Sequence, residues 1–189
     1  MSESDCSIRL LRGSEGNLSG REERELRCYR MLDELKIQYE RADHPMLEAA
    51  SMQICEQVDE ILDVRISKNL FLCNRQETQF YLLVMPADKP FKTRELSRQV
   101  NSSRLSFAPE KYLIEFLDLH AGSVSVLGLM NDHDHRVHLL IDEDLKEQPM
   151  FACHPCVNTT SLRFAMKDLL NVILPYLGIE PEFVQLKGI

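Results

Sequence analysis

The sequence predicts a mixed α/β fold: one domain with a largely antiparallel sheet surrounded by helices. Three observations predict it. Helical periodicities alternate with short runs dense in Phe, Tyr, Leu and Val, and tight turns join those runs more often than crossover helices do. No linker divides the 189 residues, of which 44% are hydrophobic and 28% charged, so one core closes without disulfides or a metal.

The elements follow in order. Residues 1–21, rich in Ser, Gly and charge, read as a flexible arm, and 22–189 as the domain. From Glu22 a helix is expected, because Leu26, Tyr29, Leu32 and Leu35 recur at helical spacing; a short extended piece, Gln38 to Glu40, follows. Asp43-His44-Pro45 breaks the chain, since a residue before proline is pushed out of helical geometry. A second helix over 47–61 turns Ala50, Ile54, Val58 and Ile61 inward. Residues 69–73 and 79–85 read as a hairpin about Asn74-Arg75-Gln76-Glu77. Helices over 92–100 and 109–117 come next, the second with Pro109 in its favoured first turn. The alternation of small and apolar residues over 122–129 predicts a strand, turned at Asn131 to Asp134 onto a partner at 137–141. A short strand, Phe151 to Cys153, precedes a helix over 162–177 capped by Asn158-Thr159-Thr160 and closed by Gly178; a last strand is expected over 182–186.

Charge and targeting signals narrow the function. The net charge of −8 argues against indiscriminate binding along nucleic acid, whose nonspecific affinity comes from neutralised phosphates. Between Lys89 and Lys111, however, Lys92, Arg94, Arg98 and Arg104 join those two lysines against Glu95 and Glu110, a local +4 that reads as a solvated helix face or as a patch for a polyanion. No apolar run approaches a bilayer span and residues 1–20 lack a signal-peptide core, so a cytoplasmic protein without a membrane partner is expected. Most of the six cysteines then read as reduced thiols.

Among local motifs, Cys153-His154-Pro155-Cys156 invites a redox reading. Only 33 residues follow it, too few for the rest of a thioredoxin-like fold, and no tryptophan precedes it. A zinc site would draw on His133, His135 or His138, but no second arm has recognised spacing. Two small thiols beside a functional histidine is the simpler reading. Neither a phosphate loop nor a dinucleotide fingerprint occurs.

Several separated segments match one family in order. They are Lys68-Asn69-Leu70-Phe71-Leu72, Leu105-Ser106-Phe107-Ala108, Gly122-Ser123-Val124, Gly128-Leu129-Met130-Asn131-Asp132 and His154-Pro155-Cys156-Val157-Asn158-Thr159, preceded by Leu32-Asp33-Glu34-Leu35, Ile37, Tyr39 and His44-Pro45. Over residues 22–187 the chain resembles the YbaK/ProX-like aminoacyl-tRNA deacylases related to the editing insert of bacterial prolyl-tRNA synthetase, in particular the PrdX and ProXp-ala branch. It departs from the family at Val126 and Ala121, where prolines are usual, and at Leu47-Glu48-Ala49-Ala50, where a threonine is expected.

The resemblance implies a YbaK-type domain that hydrolyses a mischarged aminoacyl ester in trans, with alanyl-tRNA(Pro) as substrate and no cofactor or metal. It implies catalytic roles for Lys68, Gly122 and His154, and substrate binding by Asn69, Ser123, Gly128 and Asn158. Lys68 would grip the terminal phosphate or ribose, with Asn69 assisting at the same end. Backbone N–H groups around Gly122 would orient water or the oxyanion, and His154 would polarise the ester. The partner is the acceptor end of tRNA(Pro), met by the basic 89–111 segment, with prolyl-tRNA synthetase as a second partner. The alternatives are a noncatalytic module of the same fold that binds tRNA or an amino acid, and a thiol redox protein.

Overall fold

The computed structural model describes residues 8–45 and 52–187. Cys6, the start of the expected second helix and Leu47-Glu48-Ala49-Ala50 lie outside the described residues. Two sheets carry the fold. The first has the order β1-β2-β8-β7, from β1 (Arg9–Arg12), β2 (Tyr39–Asp43), β7 (Met150–Cys153) and β8 (Thr160–Ala165), and is antiparallel throughout. The second has the order β5-β3-β4-β6-β9, from β3 (Lys68–Cys73), β4 (Phe80–Met85), β5 (Ser106–Phe107), β6 (Val137–Asp142) and β9 (Glu182–Val184). Antiparallel pairing predominates as expected, but β6 pairs in parallel with both β4 and β9.

The hairpin β3–β4 stands where the sequence places it. Asn74 closes it: its Oδ1 accepts from the backbone N–H of Thr78 at 2.9 Å and of Gln79 at 3.2 Å. β4 is buried along its whole length, because it sits mid-sheet with a core on each face. On one face Phe71, Cys73, Phe80, Leu82 and Val84 join the main core; on the other Leu72, Tyr81, Leu83 and Met85 meet Leu96 and Leu105. Full burial of one such side chain stabilises by about 1.5–3 kcal/mol.

Of the helices, α1 (Glu23–Glu34) buries Cys28, Tyr29, Met31 and Leu32 and ends where Lys36 turns left-handed at φ 57°. α2 (Met52–Leu62) packs on β2 and β8. α3 (Thr93–Gln99) and α4 (Glu110–Leu117) stand at the two basic-segment helices expected from sequence. A short helix α5 (Glu143–Lys146) follows β6, capped by Asp142, whose Oδ1 accepts from the Asp144 N–H at 3.1 Å. One helical run over 166–176 comprises α6 (Met166–Asp168), a π-turn (Leu169–Ile173) and α7 (Leu174–Tyr176).

Four expectations are corrected. Arg9–Arg12, placed in the arm, instead forms an edge strand on β2, in register from Arg9 opposite Asp43 to Arg12 opposite Glu40. The stretch 122–129 is no strand: Val126–Asn131 is a 3-10 turn. Ser125 caps it, its Oγ accepting from the Leu127 N–H at 3.2 Å, and the alternation that suggested a strand ends at Val126, where an almost unbroken apolar run begins. Val137–Asp142 accordingly pairs with β4 instead of with that stretch. Finally, residues 160–165 form the central strand β8, so Asn158-Thr159-Thr160 caps no helix; pairing with β2 and β7 overrides the helical reading, and the helical run starts at Met166.

Candidate active site

The connection from β7 to β8, residues 154–159, is where the separated segments meet. It joins two antiparallel strands, so Cys153 and Cys156 do not flank a helix N-terminus. Three neighbours are bonded to it or to its flank. The backbone N–H of Ser67, just before Lys68, donates to Ala152 O at 3.1 Å. Ser125 Oγ donates to His154 O at 2.6 Å, binding the loop that follows Gly122. The His44 N–H donates to Thr159 O at 3.0 Å. Gly122 adopts φ +89°, and a Cβ there would sit 3.6 Å from Asn158 Nδ2, so backbone and amide face each other.

His154 is held at one nitrogen. Nδ1 lies 3.0 Å from Thr160 O, a carbonyl that can only accept, so Nδ1 carries the proton. Nε2 is therefore the lone-pair nitrogen. Burial pulls the imidazole below its ordinary value of 6.5, an effect that the neighbouring His44 reinforces, so the ring is neutral at pH 7.

Lys68 and Asn69 leave opposite faces of β3. A strand's side chains alternate between faces, so Asn69 shares the face of Phe71 and Cys73, toward the main core, while Lys68 shares the α3 face with Leu70 and Leu72. Asn69 Nδ2 donates to Ser67 O at 3.0 Å, and its Oδ1 is buried without a hydrogen-bond partner. Lys68 Nζ donates to Lys89 O at 2.9 Å. Of the other candidates, Ser123 closes its own turn, Oγ donating to His120 O at 3.0 Å. Gly128 is a packing glycine: a Cβ there would come within 2.6 Å of Leu119 Cδ1.

The basic segment divides into two kinds of cation. Lys89 Nζ is 2.7 Å from Asp142 Oδ2, 2.7 Å from Asp144 Oδ2 and 2.7 Å from Leu186 O, and Asp142 is fully buried. That lysine is a structural tie. Lys111 lies over the Tyr112 ring with Glu77 nearby. Arg94, Arg98 and Arg104, by contrast, make no ion pair among the described residues and line one cavity of about 470 Å³ with Thr93, Ser97 and Ser102. No carboxylate lines it, and Ser102 Oγ is buried without a partner. Arg94 and Arg98 also line an adjoining concavity with Lys92, Glu95 and Lys187, and two further concavities lie elsewhere, one lined by Arg27, His133, His135 and Tyr176 among others; Lys68, Gly122 and His154 line none of these four.

Cys28, Cys153 and Cys156 are buried. Cys28 Sγ lies 3.5 Å from Cys156 Sγ, and burial pushes the Cys28 and Cys153 thiols well up, so neither is a thiolate at neutral pH. Sequence reasoning left His44 and Ser161 out of the site. The repeated His-Pro dipeptide, His44-Pro45 and His154-Pro155, was the available signal.

Comparison with known proteins adds four findings. The family model for the aminoacyl-tRNA editing domain matches residues 48–172. The prolyl-tRNA editing protein ProX of Acetoanaerobium sticklandii is 34% identical over 145 residues, 75% of this chain and 85% of that protein. The prolyl-tRNA synthetase associated domain-containing protein 1 of Danio rerio is 31% identical over 110 residues, 57% of this chain and 59% of that protein. A crystal structure described as a candidate trans-editing enzyme for prolyl tRNA synthetase superimposes with TM-score 0.62 at 16% identity, covering 88% of this chain and 99% of that one, which is a likeness of fold. No helix among the described residues is long and apolar enough to cross a membrane.

Proposed function

The chain belongs to the aminoacyl-tRNA editing domain family, and on that premise we propose that it is a trans-editing deacylase which hydrolyses the ester of alanyl-tRNA(Pro) in the cytoplasm. Aminoacyl-tRNA deacylation follows from the family; alanine as the amino acid is our reading, and so is prolyl-tRNA synthetase as the enzyme whose errors are cleared. The observation that carries it is the meeting of β3, the Gly122 loop and the two His-Pro segments at residues 154–159.

An aminoacyl ester is already activated, so the chemistry needs a placed water and a stabilised oxyanion more than a strong nucleophile. The lone-pair nitrogen of His154 accepts a hydrogen bond from the water or from a ribose hydroxyl. Water adds to the carbonyl carbon, and the bond to the ribose oxygen breaks as that oxygen regains a proton. Asn69 Oδ1, an acceptor without a protein partner, is suited to the ammonium or a hydroxyl of the aminoacyl-ribose end. Selection against proline requires steric overlap, because attraction alone discriminates by only about 1–3 kcal/mol per methylene.

Incubation of the full chain with alanyl-tRNA(Pro), prolyl-tRNA(Pro) and seryl-tRNA tests this reading. Rapid loss of the alanyl ester alone supports it. Equal loss of all three overturns the selectivity, and no turnover on any leaves a noncatalytic binding module.

Lys68 and the α3 arginines lie on the same side of β3, which offers the RNA backbone one path: phosphates over Arg94, Arg98 and Arg104, and the terminal nucleotide at Lys68. Only three residues separate Lys89, the acceptor for Lys68, from Thr93, a reach of at most about 14 Å over the four steps. Replacing all three arginines with Gln is expected to weaken tRNA binding and to lower the slope of log K against log salt by about 2. Binding isotherms at several salt concentrations read both quantities, and an unchanged slope removes these residues from the interface.

A further inference from the structure

Beyond the residues that touch substrate, we propose that His44 and Ser161 form a hydrogen-bonded relay that positions His154 with its Nε2 lone pair toward the substrate. Ser161 Oγ lies 2.9 Å from His44 Nε2 and 3.4 Å from His154 Nδ1, and the rings meet edge-on with centroids 6.3 Å apart. The proton inventory has one solution. His44 Nδ1 lies 2.9 Å from Pro45 O, which can only accept, so Nδ1 donates and Nε2 is an acceptor. Ser161 therefore donates its hydroxyl proton to His44 Nε2. Its oxygen is left to accept the second branch of the His154 Nδ1–H, whose first branch goes to Thr160 O at 3.0 Å. Each of these buried polar atoms is then satisfied, and a flip of the His154 ring would break two bonds at once.

The relay is built into strand register. Ser161 stands opposite Ala42 on β2, and His44 follows two residues later, at the end of that strand. Burial lowers the pKa of His44 from 6.5, against weaker upward effects of the Pro45 carbonyl and Asp43. The other charged groups around it are engaged elsewhere. Asp43 Oδ2 takes Arg21 Nη2 at 2.5 Å and its Oδ1 lies 3.2 Å from Arg41 Nε. Glu25 Oε1 accepts from Thr160 Oγ1 at 3.1 Å. Arg9 stands opposite Asp43 in the strand pairing, and α2, packed on β2, carries Glu56 and Asp59. A proton added to His44 removes the acceptor for the Ser161 hydroxyl and sets a charge beside His154, so both histidines must be neutral for the relay to hold.

The inference rests on the deacylase reading, and its test separates the two. On the alanyl ester, the acid limb of log kcat/KM for the parent protein is expected to approach a slope of about two, and His44→Gln, whose amide oxygen still accepts from Ser161, to reduce it to about one, with a smaller loss of neutral-pH kcat than Ser161→Ala. The substrate ammonium titrates alike in both proteins and cancels from the comparison. Ser161→Ala is expected to lower kcat about tenfold at unchanged KM, with Ser161→Thr restoring it. A parent slope of one that His44→Gln leaves alone, or a Ser161→Ala effect confined to KM, overturns the relay while the deacylase reading stands. If no ester is cleaved, that reading fails, and imidazole nitrogen shifts still judge the relay. Both rings protonated at Nδ1 support it; His154 protonated at Nε2 overturns it.

Discussion

His154→Ala is expected to lower kcat/KM on the aminoacyl ester by about 1,000-fold, within the range of roughly 100- to 10,000-fold for loss of a positioned acid–base group. The expectation rests on the fixed tautomer: Nδ1 is spent on Thr160 O and Ser161 Oγ, so the substrate meets a nitrogen that can only accept. Single-turnover rates of the variant, with thermal melts as a check on folding, measure the loss. A fall of less than tenfold would reduce His154 to a loop-holding residue.

The same histidine sets a pH dependence of stability with a definite sign. Burial holds the folded pKa of both His44 and His154 below 6.5, so below that value the unfolded chain takes up protons that the folded chain refuses. Their contribution to stability is whole above pH 6.5 and is lost as pH falls through the folded values. In His154→Ala that fall is shallower.

Lys68→Ala is expected to lower kcat/KM by about 100-fold, or about 2.7 kcal/mol, the size of one charge-assisted hydrogen bond made by a partly buried ammonium. At rest the ammonium is parked on Lys89 O, and a phosphate oxygen is the stronger acceptor. The split between constants locates the contact: a rise in KM alone means that Lys68 grips the tRNA end equally before and during reaction, and a fall in kcat means that the grip tightens in the transition state. Stability should change little, because the substitution removes one bond from the strand's edge while Lys89 keeps its bonds to Asp142, Asp144 and Leu186. If activity survives Lys68→Ala and is lost with Cys156→Ser, the roles assigned to these residues are wrong.

The candidate residues stood out before the structure because their types are costly to place without reason. A lysine opens a hydrophobic strand at Lys68-Asn69, a histidine precedes a proline at 154, and a glycine opens a run of small residues at 122, where the structure then shows φ +89°. Gly128 was legible as a glycine but not for its cause, which is the Leu119 side chain 2.6 Å from where a Cβ would lie. His44 was read as a chain break and as part of a matching segment but given no role, since the same His-Pro dipeptide that ends a strand also positions a ring. Ser161 left no trace, being one serine in a run that reads as helical.

What the sequence determined by itself is what short-range rules govern: the mixed fold class, the β3–β4 hairpin set by Asn74, α1 from its buried stripe, and an ordered set of motifs spread over most of the chain. Tertiary structure decided whatever depends on partners distant along the chain. It made 160–165 a strand by placing it between β2 and β7, and 126–131 a 3-10 turn by binding Ser125 to His154. It also sorted the basic run into a buried tie and an open arginine cluster. The physical reason is common to all three: backbone propensity and apolar period are local quantities, whereas hydrogen-bond partners and counter-charges are supplied by whichever segment the completed core brings alongside.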